Sequence, residues 1–260
     1  MAGLKYLLWL ATRHGLPPQR GAELLEYFGT AEAAYFAGPE EYDGLRLPPL
    51  LRQSLQDKRL DGAEVILDRC SQLGVRILTC VDAGYPERLL QLRDYPLVLY
   101  TLGRSIHFDE ELAIAIVGAR KCTPYGVGMA EEIAAGLARA GALVISGIAQ
   151  GIDSAAVGAA LRAGGTAVSV LACGLDVCYP PSSRRLYQDL ATAGTLISEH
   201  PPGTPILRGC FPVRNRIISG LSVGVTAVEA CAGRSGTLIT SLLALDQGRD
   251  LFAVPGPANA

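Results

Sequence analysis

In the stretch "FPVRNRIISG" (residues 211–220) two arginines, Arg214 and Arg216, flank Asn215. An aromatic ring, Phe211, and a proline precede them, and an apolar run follows. From Pro201 to Val228 the chain holds three arginines and no Asp or Glu, although its formal net charge is −2. Cations gathered without counter-charges suit an external anion met by a local patch. The glycine-rich segments "VGARKCTPYG", "SGIAQGID", "ACGLD" and "AGRSGT" offer the complementary backbone. Glycine lets backbone N–H groups approach an anion, and a helix N-terminus adds about half a positive charge. Arg120 and Lys121 place cations in the first of these turns, while Ser235 and Thr237 place hydroxyl donors in the last. Any one such loop also reads as a tight turn in a compact sheet, and only their convergence on one edge makes a site.

Other chemistries lack their residues. Arg120 stands where a GxGxxG dinucleotide fingerprint needs its second glycine, and no GxxxxGK[ST] phosphate loop is present. GxSxG is absent, and His14, His107 and His200 have no Ser or Cys partner in a nucleophile setting. Asp153 reads as a helix cap and not as a catalytic acid. The seven cysteines are odd in number and without CxxC spacing, so they read as reduced thiols of a cytoplasmic protein. Cys173 and Cys178 read as packing thiols. No metal and no cofactor is expected. Arg214 or Arg216 could pair with Glu199, Asp176 or Glu229, but so acid-poor a neighbourhood argues against both being neutralised. Phe211 reads either as core or as a stacking face.

Positioning these residues requires a particular set of elements. The first 70 or so residues read as short helices: "PPQRGAELLEYFG" opens on prolines and stops at Gly29, and "TAEAAYFAG" opens on a capping Thr30. "PPLLRQSLQDKRLDGAEVILDRCSQLG" has helical spacing with a break expected near Gly62. "VRILTC" reads as a strand. From Leu112 the pattern alternates, with strands expected at "LAIAIVG", "ALVISG", "TAVSVLA", "TLISE", "VGVTAVEA" and "DLFAVPG" and amphipathic helices between them. Continuous Val/Ile/Ala runs separated by helices predict an α/β, doubly wound, mostly parallel Rossmann-like sheet with helices on both faces. Ligands in such sheets collect at the carboxyl ends of the strands, where these glycine loops lie.

The expected organisation is a small all-helical domain at 1–74, a connector at 75–111 and a Rossmann-like domain at 112–260. With 260 residues, 49% hydrophobic and 18% charged, the chain can bury a sizeable core. No apolar run reaches the roughly 18 residues needed to span a bilayer, and no signal-peptide cleavage site is evident. Residues 1–111 carry 12 Lys and Arg against 16 Asp and Glu, and residues 112–260 carry 11 against 9, so the basic excess lies in the second part.

These loops, in this order, resemble the DNA-processing protein A (DprA/Smf) family. The likeness runs from about Tyr85 to Gly256 through "IVGARKCTPYG", "SGIAQGID", "GLDVCYP", "ISEHPPG", "FPVRNRIISGLS" and "FAVPG", with a helical N-terminus of sterile-alpha-motif character. The resemblance implies a non-enzymatic protein that binds and protects incoming single-stranded DNA and loads a RecA-type recombinase during natural transformation. It implies a homodimer formed through the Rossmann-like domain. By the same resemblance, Gly118, Arg120 and Lys121 belong to the first DNA-binding loop, and Ser146, Gly147, Gln150 and Gly151 to the second. Phe211, Arg214, Asn215 and Arg216 form the third, and Ser235, Gly236 and Thr237 a phosphate cradle. Gln150 stands where the family usually has a basic residue, and Val157 where it has a histidine. A further tail beyond Ala260, often winged-helix-like, is also implied.

Two rival readings use the same sheet. "EACAGRSGTLIT" resembles the "PGGxGTxxE" loop of lysine-decarboxylase-like nucleotide phosphoribohydrolases, but Ser241 and Leu242 follow Thr240 where that loop has its glutamate. A plain nucleotide sensor would bind mononucleotides tightly and show no preference for longer strands.

Overall fold

Prolines, a threonine and glycines delimit the first helices. Helix α1 (Leu4–Ala11) is followed by α2 (Pro18–Phe28), which starts on proline and stops at Gly29. Thr30 caps α3 (Ala31–Phe36) by accepting the Ala33 amide at 3.0 Å. The long helical stretch forms two helices, α4 (Pro49–Gln56) and α5 (Asp61–Leu73). Its break falls at residues 57–60, before Gly62, because tertiary donors take the Asp57 carbonyl: Trp9 Nε1 at 2.8 Å and the Arg13 guanidinium at 2.9 Å. Strand β1 (Arg76–Thr79) follows.

The chain divides into two compact units, Met1–Tyr85 with Leu90–Leu99, and Pro86–Leu89 with Tyr100–Ala260. The structure, a computed structural model, describes residues 3–230 and 235–256. In the first unit Leu8, Trp9, Leu10, Leu24, Leu51 and Leu55 are buried, which is the helical periodicity of the sequence expressed as a core.

Helix α6 (Glu87–Leu90) and strand β2 (Val98–Gly103) lead into the second unit. There the chain alternates β3 (Ala113–Val117), α7 (Pro124–Arg139), β4 (Leu143–Ser146), α8 (Ile152–Arg162) and β5 (Ala167–Leu171). It continues with α9 (Arg184–Ala193), β6 (Thr195–Ser198), α10 (Cys210–Gly220), β7 (Gly224–Ala227), α11 (Gly236–Asp246) and β8 (Asp250–Ala253). All six strands expected after Leu112 are present. With β2 and, outside it, β1, they form an eight-stranded sheet in the order β1-β2-β6-β5-β4-β3-β7-β8. Every pairing from β6 to β8 is parallel, and β2 runs antiparallel to β6, with Tyr100 opposite Ser198. β2 lies inside the stretch read as connector. Its first four residues are buried.

The chain leaves β3 toward β4 on one side and returns as β7 on the other. The order therefore reverses between β3 and β7, and a crevice opens there beyond the strand ends. No described helix is long and apolar enough to cross a membrane.

Candidate functional site

The loop leaving β3 carries Gly118, Arg120 and Lys121 to the mouth of this crevice, with both cationic side chains exposed. Phe211, Arg214 and Asn215 of α10 form the facing wall, and Ser235, Gly236 and Thr237 at the start of α11 close the third side. The Arg120 guanidinium lies 5.0 Å from the Phe211 ring centroid, within cation–π range. Phe211 therefore presents a ring face at the rim and is not a core residue. The Tyr179 ring is also near, tilted against Phe211 with centroids 6.0 Å apart. Arg120, Phe211 and Arg214 also bound a second recess, lined further by Gln150, Tyr179 and Cys173. The two recesses thus share a wall of one stacked arginine, one aromatic ring and one buried arginine.

Arg214 is 7% exposed. It donates to the Val170 carbonyl, and its Nε reaches Asn215 Oδ1 at 3.2 Å. Burial lowers its pKa, opposed by the charge of Asp153. Asp153 lies in the first turn of α8 beneath Arg214; the cap position belongs to Gly151, so Asp153 is not the helix cap. Burial raises the Asp153 carboxyl to about 6, against the pull of Arg214, the Gly118 amide, Arg120 and Ser146. Burial is the largest cause of both shifts, and the opposite charge offsets only part of it in each case. Gly147 is the floor: a Cβ there would press on the Asp153 carboxylate and the Arg214 guanidinium.

Three expected contacts do not reach the rim. Arg216 is 2% exposed and locked in a two-pronged pair with Glu199, Nη1 to Oε2 at 2.9 Å and Nη2 to Oε1 at 2.6 Å. Ser146 is buried and donates to the Ile116 carbonyl at 2.6 Å. Gly151, with φ +91°, faces the Ala119 and Arg120 carbonyls, which leave no room for a Cβ. Its part is to let α8 start against the Arg120 loop. Gln150 is exposed and opens on the second recess.

At the third side, Ser235 is the α11 N-cap with no side-chain cap bond, and the Thr237 hydroxyl donates to the Glu229 carbonyl at 3.4 Å. The "AGRSGT" loop falls partly outside the described residues. Glu229 pairs with neither Arg214 nor Arg216; its carboxylate binds Thr123. Two further residues escaped the sequence reading, Arg208 on the loop before α10 and Tyr179 in the lining of the second recess. Arg208 is exposed on the loop before α10, with no acidic partner among the described residues. Its signal was present, since it is the third arginine of the acid-free stretch. Tyr179 is 41% exposed, and its signal was an aromatic next to a proline in a loop after a strand.

The arrangement can hold an extended anion: exposed guanidinium and ammonium groups, a ring face, and hydroxyls at a helix start. The family model described as DNA recombination-mediator protein A matches residues 76–260. The DNA processing protein DprA of Streptococcus pneumoniae is 34% identical over 96% of this chain and 86% of its own length. Protein Smf of Synechocystis is 35% identical over 98% of this chain, which spans 66% of that relative. Among solved structures, the S. pneumoniae protein superposes with a TM-score of 0.84 at 32% identity, covering 98% of this chain and 87% of that one. DNA processing protein A of Helicobacter pylori, whose single-stranded DNA binding mode has been determined, superposes with a TM-score of 0.65 at 29% identity over 73% of this chain and 84% of that one.

Proposed function

The chain belongs to the DNA recombination-mediator protein A family, and from that membership we propose that it binds single-stranded DNA along the crevice between β3 and β7. The observation that carries this reading is the exposed Arg120, stacked on Phe211 beside Lys121 at the topological switch point. A single strand offers both phosphates for the cations and unstacked bases for the ring. A duplex hides its base faces. Few aromatics, 6% of the chain, make backbone contacts the larger share and sequence preference slight. Arg120, Lys121 and Arg208 are the contacting cations, and the buried Arg214 shapes the wall of the crevice behind them. Arg216 serves the fold.

The finer proposal is that the protein protects incoming DNA and loads a RecA-type recombinase in the cytoplasm, without catalysis, as a homodimer. The dimer is supported by the far edge of the second unit. There β8 is exposed along its whole length, and Leu238, Leu242 and Leu245 of α11 stand open to solvent with Phe252. An apolar face beside an unpaired strand edge is a surface that a second copy covers. Fluorescence anisotropy with single-stranded and duplex oligonucleotides at two salt concentrations tests the binding. Tighter, salt-sensitive binding of the single strand is expected; equal affinity for the duplex, or for adenosine monophosphate alone, would defeat the reading.

A further inference from the structure

One carboxylate grips the loop that carries Arg120 and Lys121. Glu229, just past β7, accepts the Thr123 amide at 3.0 and 3.2 Å and the Thr123 hydroxyl at 3.0 Å. Its backbone carbonyl accepts the Ala119 amide at 2.8 Å. A single residue therefore fastens the chain on both sides of Arg120 and Lys121. The Thr123 hydroxyl also caps α7, accepting the Gly126 amide at 3.1 Å. Gly126 lies in the first turn of α7, where a Cβ would overlap Glu229 Oε2, so a bare glycine leaves room for the carboxylate. Glycine costs helix stability at such a position, which indicates that the space itself matters. A negative group at a helix N-terminus is favoured by the helix dipole. The first turn after β3, where a nucleotide phosphate would sit in a dinucleotide-binding sheet, is thus filled from within.

We propose that Glu229 is a positioning residue for strand binding: its carboxylate serves as an internal anion at the α7 N-terminus and so holds Arg120 and Lys121 over the crevice. This rests on the single-strand reading above. The lock has three parts, Thr123, Gly126 and Glu229, and disturbing any one releases the same loop.

The test measures affinity for a labelled oligothymidine in Glu229→Ala, Gly126→Ala and the double variant Arg120→Ala/Lys121→Ala, alone and combined. Glu229→Ala and Gly126→Ala are each expected to weaken binding about five- to tenfold, the scale of one ordinary hydrogen bond's net contribution. Either change should add nothing in the Arg120→Ala/Lys121→Ala background, because the loop then has no cations to position. Sodium acetate, compared with chloride at equal ionic strength, should restore Glu229→Ala by supplying a carboxylate. It should not restore Gly126→Ala, whose cradle a methyl fills. Wild-type affinity in Glu229→Ala, losses that multiply with the double variant, or equal rescue by chloride would each overturn the proposal. If Glu229→Ala does not fold, the isosteric Glu229→Gln, which turns one acceptor into a donor against Thr123, takes its place with the same expectations except acetate rescue. Should the wild-type protein bind no single strand, the parent reading falls. Hydrogen exchange at residues 119–123 then judges the lock alone: faster exchange in the Glu229 variant supports it, and unchanged exchange refutes it.

Discussion

Arg120 and Arg216 are chemically identical and meet opposite fates. Arg120 is exposed over a ring, whereas Arg216 is enclosed and bound by Glu199. Arg120→Glu is therefore expected to abolish most single-strand binding and leave the thermal midpoint unchanged; a gel shift like that of the wild type would contradict it. Arg216→Ala should instead lower stability by about 2–3 kcal/mol, measured by urea unfolding, because it strands Glu199 partly buried without its partner. Asp153 carries a pH signature. Its folded pKa of about 6 lies above the ordinary carboxyl value of 3.8, so the native state holds the proton more tightly than the unfolded chain. The stabilising, protonated contribution is complete below about 4 and is lost as pH rises through about 6, on the order of 2–3 kcal/mol in all. Unfolding measured from pH 4 to 7 should show this decline against Asp153→Asn, which lacks the titrating group; identical pH profiles would rule it out. The sequence located the acid-free run around the arginines, but Glu199 stands just outside that run, and only folding brings it to Arg216.

At the level of elements, the site depends on how strands hand over to helices. Gly151 starts α8 in a left-handed backbone conformation beneath the Ala119 and Arg120 carbonyls. Gly151→Ala is expected to cost about 3 kcal/mol or more, combining unfavourable φ with a backbone clash. It should also weaken single-strand binding, because relief of the clash moves the Arg120 loop. A melting temperature within a degree of the wild type would count against this account. The strands β3 to β8 were legible because each is a continuous apolar run bounded by glycines and polar loops. β2 was not, since its identity comes from the antiparallel partner it finds in β6, far along the chain. The break between α4 and α5 was likewise misplaced toward Gly62. Helix propensity marks glycine as the weak point, but the hydrogen bonds that end the helix come from Trp9 and Arg13.

For the molecule as a whole, the proposed strand-binding crevice and the proposed self-association face lie on different parts of the second unit. Each phosphate neutralised contributes a slope of about −0.7 in log affinity against log salt, so Arg120, Lys121 and Arg208 together give about −2 per protomer. A titration series yielding a slope near zero would exclude phosphate contacts as the source of affinity. Leu242→Arg on α11 is expected to convert a dimer to a monomer in analytical ultracentrifugation without loss of fold, and an unchanged mass would remove α11 from the interface. The sequence by itself determined the doubly wound α/β class, the family, and the loops that bear cations and glycines, because periodicity, glycine placement and local charge are properties of short segments. Tertiary structure alone decided which arginine faces solvent, which is spent on Glu199, and that Asp153 and Glu229 lie under and behind the site. Those outcomes depend on distances between residues remote in the chain, set by strand order and by the cost of burying a charge without its partner.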